Sequence, residues 1–202
     1  MASAPTSNTG NEVKRNTGNE VKRKFAVLGS RSVGKSTMIV RYMDNVFVDS
    51  YYPTIEATFT KSIKFKGRTY NCDIIDTAGQ DEYSILNSKH AIGIHGYVLV
   101  YSIASRASFD MIQTVYDKIL NYTGTEHIPC VVVGSKSDLH VQRQVSEEEG
   151  KELAKQLKSA WVETSARHDV NVAKVFELML GETERDTTEG GPEPETSKCV
   201  VM

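Results

Sequence analysis

Gly29-Ser30-Arg31-Ser32-Val33-Gly34-Lys35-Ser36 fits the pattern G-x-x-x-x-G-K-[ST], and its fixed positions each have a duty toward a phosphate chain. The glycines let the backbone curl so that the consecutive N–H groups of Ser30, Arg31, Ser32, Val33, Gly34, Lys35, Ser36 and Thr37 face an anion, and the helix that follows adds its positive N-terminal end. Lys35 is long enough to reach β/γ oxygens, and the Ser36 hydroxyl is a ligand for Mg²⁺. The setting agrees. Residues 24–28 are a short apolar run leading into the loop, and residues 35–44 carry Met38, Ile39, Tyr42 and Met43 at helical spacing.

Downstream motifs say which nucleotide. Asp76-Thr77-Ala78-Gly79-Gln80 follows the apolar stretch 72–75, which puts a carboxylate at a strand end, where it can hold Mg²⁺ through water, and a glycine whose N–H can meet a γ-phosphate. Between the two motifs lies Tyr51-Tyr52-Pro53-Thr54-Ile55-Glu56, in which Thr54 offers a hydroxyl to Mg²⁺ and an N–H to the γ-phosphate. Val131-Val132-Val133 then reads as a buried strand ending in Gly134-Ser135-Lys136-Ser137-Asp138. An aspartate there can accept from the N1–H and 2-amino groups of guanine, a donor pair adenine lacks. Lys136 would cover the base with its stem, and Ser165 and Ala166 would give backbone N–H groups to the guanine carbonyl.

These five motifs, in this order between residues 24 and 180, resemble those of the Ras-superfamily small GTPases. Arg31 within the phosphate loop and the runs 50–56, 76–85 and 88–97 make the chain most similar to the Rheb family, in a fungal form. The resemblance implies a P-loop GTPase fold and a GTP/GDP switch that hydrolyses GTP slowly with Mg²⁺, depends on an activator, and turns on a TOR kinase complex when GTP-bound. It implies Phe47, Val48 and Tyr51 beside the base and ribose, and residues Tyr51, Tyr52, Pro53, Thr54, Ile55 and Glu56 as the effector-facing switch. Gln80, Lys35 and Thr54 would act in hydrolysis, with Gln80 orienting the attacking water.

Two residues depart from the broader pattern. Arg31 sets a long cation where most Ras-type proteins keep glycine, which should hinder an incoming arginine finger; in the Rheb family a tuberin-type activator supplies an asparagine instead. Ser135 stands where the family has asparagine, whose amide bonds guanine N7 and ties the phosphate loop to the base-binding loops. Serine is expected to be too short for this, at a loss of about 1–3 kcal/mol, or roughly 5- to 150-fold in affinity. This leaves an alternative of another class, a nucleotide-loose or pseudo-GTPase adaptor tethered to a membrane.

Positioning these motifs requires an α/β fold with a six-stranded, mostly parallel sheet and helices on both faces. Strands are predicted at 24–28, 58–65, 68–75, 97–102, 130–134 and 160–163, the second and third joined at Lys66-Gly67. The clearest helices are predicted at 105–122, 146–157 and 170–180, the middle one capped by Ser146 with Glu147 to Glu149 in its first turn. Right-handed crossovers bring all the motifs to one edge.

The domain is expected at 24–181, between polar ends. Residues 8–15 and 16–23 repeat NTGNEVKR in tandem, too polar to bury a core, so 1–23 reads as a flexible arm. Residues 182–202 read as an acidic tether ending in Cys199-Val200-Val201-Met202, a C-a-a-X pattern that a prenyltransferase would farnesylate at Cys199. The expected location is the cytoplasmic side of internal membranes with a cytosolic pool, and the expected state is a monomer. The chain is 39% apolar over 202 residues, enough for one buried core. Its net charge of −2 argues against nucleic acid as a partner. Three cysteines form no disulfide framework, and the five histidines lack metal-ligand spacing.

Overall fold

The computed structural model describes residues 20–50, 53–79 and 93–188. In chain order the elements are β1 (Glu20–Leu28), α1 (Lys35–Asp44), β2 (Ala57–Phe65), β3 (Arg68–Asp76), β4 (Gly96–Ser102), α2 (Arg106–Thr123), β5 (Cys130–Ser135), α3 (Glu147–Gln156), β6 (Ala160–Glu163) and α4 (Val172–Thr188). A 3₁₀ turn, His140–Gln142, follows β5. The six strands form one mostly parallel sheet, as the sequence predicts, and their order is β2-β3-β1-β4-β5-β6. Only β2 and β3 run antiparallel. Their two-residue turn, Lys66-Gly67, has positive φ at both positions (46° and 77°), the twist that suits a tight hairpin.

β4 and β5 are buried along their whole length because both faces of the sheet are covered there. Alternate residues of β4 divide between two cores: Tyr97, Leu99 and Tyr101 pack on the side that holds Ile112, Val115 and Ile119 of α2. Val98 and Val100 pack on the side that holds Met38 and Ile39 of α1 with Phe176 and Met179 of α4. The helix starts follow local chemistry: Ser105 accepts from the Ser108 N–H, and Ser146 with Glu149 completes a reciprocal capping box before α3. Because β1, β3, β4, β5 and β6 are parallel, the loops at 29–34, 77–79, 136–138 and 164–166 leave the sheet at the same edge.

Both predicted domain boundaries need correction. β1 starts at Glu20, inside the second repeat, and Glu20 to Arg23 pair with Thr69 to Cys72 of β3. α4 continues to Thr188, past the predicted start of the tether, because Glu182 and Thr183 are buried and the Thr183 hydroxyl bonds the Met179 carbonyl at 3.2 Å. The two extensions hold each other through buried Arg23 and half-buried Glu184, 3.1 Å apart. The first repeat and residues 189–202, including Cys199, lie outside the described residues. Cys72 and Cys130 are core residues whose thiols burial pushes up to about 12, so neither is a nucleophile at neutral pH. Among the described residues, no helix is long and apolar enough to cross a membrane.

Candidate functional site

The chain between β1 and α1 turns under tight steric control. Gly29 (φ 146°) lies so close to β4 that a Cβ would run into the Val100 carbonyl, and Ser32 and Gly34 also adopt positive φ. Val33 is buried in the core and anchors the loop from inside, while Arg31, Ser32, Gly34, Lys35, Ser36 and Thr37 line a cleft of about 320 Å³. Lys35 Nζ donates to the Gly29 and Ser30 carbonyls, both at 2.9 Å, so the ammonium spans the mouth of the loop. Burial lowers its pKa to about 8, with the Asp76 charge acting against that shift.

Loops from three elements meet beside Lys35. Ser36 Oγ and Thr54 Oγ1 are 2.8 Å apart, so Thr54 is turned inward while its neighbour Ile55 is 91% exposed. Asp76, at the end of β3, is buried; burial raises its pKa, opposed by the Ser36 hydroxyl and the Lys35 charge. Its Oδ1 is buried without a hydrogen-bond partner. Two hydroxyls and an unsatisfied carboxylate oxygen are hard oxygen donors of the kind Mg²⁺ takes. Gly79 lines the same end of the cleft, and a Cβ there would strike the backbone and stem of Arg31. Pro53 and Glu56 are exposed on either side of Thr54 and Ile55. Tyr51, Tyr52 and Gln80 lie outside the described residues.

At the far end of the cleft stand Phe47, Val48, Ser135, Lys136, Asp138 and Ala166. Lys136 Nζ donates to the Ser32 carbonyl at 2.7 Å, which lays its stem along the cleft wall. Asp138 Oδ1 accepts from the Ser165 hydroxyl at 2.6 Å. This fixes one side of the carboxylate that guanine would need. The Ser165 N–H donates to the Val170 carbonyl at 3.1 Å, so of the two predicted backbone donors to the base only Ala166 faces the cleft.

The expectation for Ser135 is half overturned. Its hydroxyl lies within hydrogen-bond distance of the Val33 carbonyl in the phosphate loop and, at 2.8 Å, of the Tyr101 carbonyl on β4. Serine therefore does tie the phosphate loop to the base-binding strand, because β5 runs close enough for a short side chain to reach. A hydroxyl has one proton, and these two carbonyls compete for it, so none remains for a base nitrogen.

Sequence reasoning missed Arg167 and Asp49. Arg167 lies over the Phe47 ring at 5.4 Å and pairs with Asp49 at 3.3 Å, joining the loop after α1 to the loop after β6 across the cleft. Leu139 and Thr164 complete the wall. The signal available was only that Arg167 follows Ser165-Ala166.

The Ras family model matches residues 24–185. GTP-binding protein rhb1 of Schizosaccharomyces pombe is 63% identical over 178 residues, covering 88% of this chain and 96% of that protein. Small monomeric GTPase RhbA of Aspergillus fumigatus is 57% identical over 180 residues, covering 89% and 96%. GTP-binding protein Rheb of Homo sapiens is 45% identical over 179 residues, again covering 89% and 96%.

Proposed function

Because the chain belongs to the Ras family and is a Rheb-like small GTPase that hydrolyses GTP, we propose that it is a GTP/GDP switch activating a TOR kinase complex in its GTP state. The observation that carries the switch is the meeting of Ser36 and Thr54, 2.8 Å apart and beside Gly79. A γ-phosphate at that point would contact Thr54 and Gly79 at once beside the phosphate loop, and its loss would remove both contacts. The exposed Ile55 next to the inward Thr54 means that whatever fixes Thr54 also fixes an apolar side chain on the outside. That is how a phosphate is read by a protein partner.

Hydrolysis then rests on positioning and charge. Lys35 follows the β- and γ-oxygens as negative charge shifts toward the leaving group. Gln80 orients water for in-line attack. Ser36, Thr54 and, through water, Asp76 would hold Mg²⁺, which when bound offsets the charge of the phosphate oxygens. The stem of Arg31 rests against Gly79, so an arginine finger would meet a cation already present; an activator of the tuberin type, which brings a neutral amide, fits this arrangement better.

Farnesylation of Cys199 by a prenyltransferase would tether the domain to the cytoplasmic side of internal membranes, with a cytosolic pool, since a single isoprenoid anchors only marginally. The Ser135–Val33 bond removes much of the reason to read the chain as a nucleotide-loose adaptor. Nucleotide content of the purified protein decides between them. A switch retains close to one GDP or GTP per chain and discriminates GDP from a GTP analogue in effector binding; an empty chain that binds its effector equally well in all states would overturn the proposal. Cys199→Ser should make the protein soluble with nucleotide content unchanged.

A further inference from the structure

The end of the sheet opposite the nucleotide cleft carries a charge pattern that the GTPase reaction does not use. The β2–β3 hairpin tip reads Lys64-Phe65-Lys66-Gly67-Arg68, and its three cations are exposed. Arg68 stands eight residues along β3 from Asp76, about 26 Å down the strand. Lys22, Lys158, Lys174 and Arg185 are exposed on neighbouring elements at the same end. The carboxylates facing them are Glu20, Glu177, Glu182 and Glu184. Two of these are already engaged: Glu184 pairs with Arg23 at 3.1 Å and Arg68 at 4.0 Å, and Glu182 pairs with Arg185. Lys64 and Lys66 make no ion pair among the described residues. Lys66 instead sits over the Phe65 ring at 5.3 Å.

The same end is where the chain leaves the fold toward its lipid site. α4 reaches Thr188 after Glu184 has met Arg68, and Cys199 follows eleven residues later, a reach of at most about 38 Å. The intervening segment holds Glu189, Glu193 and Glu195 against only Lys198, so it gives an anionic membrane nothing to attract. Stable anchoring by one lipid chain needs a second signal. We propose that the hairpin tip, chiefly Lys64 and Lys66, is that signal: a membrane-facing surface on the folded domain that binds anionic lipid headgroups and holds the nucleotide cleft and Ile55 away from the bilayer. The inference rests on the farnesyl reading of Cys199 given above.

The test uses the full chain, farnesylated in vitro and checked by mass, on phosphatidylcholine vesicles with and without phosphatidylserine. Lys64→Gln/Lys66→Gln should bind the anionic vesicles about 5- to 30-fold more weakly than wild type, the effect of one to two surface cations. Binding to neutral vesicles and GDP release should not change, and high salt should erase the difference. Equal binding of the two proteins to anionic vesicles, or an equal loss on neutral ones, would overturn the proposal. A chain that no prenyltransferase modifies would refute the anchor alone. In that case the same two proteins, unlipidated, compared on vesicles rich in phosphatidylserine, still decide the role of the hairpin.

Discussion

Ser135→Asn tests how the cleft grips its nucleotide. In the wild type one hydroxyl proton is shared between the Val33 and Tyr101 carbonyls, and the side chain is 4% exposed. An asparagine amide brings two N–H donors and a carbonyl, enough to keep the bond to Val33 and still meet a base nitrogen. The gain is thus one buried hydrogen bond, net about 0.5–1.5 kcal/mol, and not also the phosphate-loop tie, which serine already makes. GDP release, followed by chasing a fluorescent GDP with unlabelled nucleotide in Mg²⁺ buffer, should slow by about 2- to 13-fold. Ser135→Ala supplies the other bound: it leaves the Val33 carbonyl unpaired in the phosphate loop and should speed release. A slowing of a hundredfold or more for asparagine would mean that serine makes no effective tie. Unchanged release in both variants would show that Ser135 has no part in holding the nucleotide.

Three further outcomes are expected. Asp49→Asn should speed GDP release by about 1.4- to 5-fold, the range for an exposed ion pair, and Arg167→Gln should add nothing to it in the double variant; additive effects would mean that the two side chains act separately. Burial raises the Glu182 carboxyl above its ordinary 4.5, opposed by Arg185, so the folded state holds this proton to higher pH than the unfolded state, and its contribution is lost as pH rises through the folded value. Glu182→Gln should therefore melt higher than wild type at pH 7 and lose that advantage at pH 4; an advantage that grows on acidification would refute the sign. Thr54→Ala should keep GDP bound yet abolish the difference in effector affinity between GDP and a GTP analogue, and persistence of that difference would remove Thr54 from the switch.

The residues that handle phosphate were legible because each motif is contiguous and its shape is set locally. Glycines curl the 29–34 loop, Asp76 ends an apolar strand, and Thr54 sits in a short proline loop; the alternation of strands and helices with right-handed crossovers then brought these motifs to one edge. What the sequence left undecided are contacts between residues far apart in the chain. Ser135 meets Val33 across 102 positions, Arg167 meets Asp49 across 118, and Arg23 meets Glu184 across 161. Whether a hydroxyl reaches a carbonyl depends on the spacing and register of the strands that carry them, and a shift of one ångström makes or removes the bond. Such distances arise from packing of the whole sheet against α1 and α4, so Ser135 looked too short from its neighbours alone. The domain's ends were misjudged for the same reason: EVKR and the start of the tail are polar in sequence, and only the partners across the fold, β3 for the strand and Glu184 for the buried Arg23, make their ordering favourable.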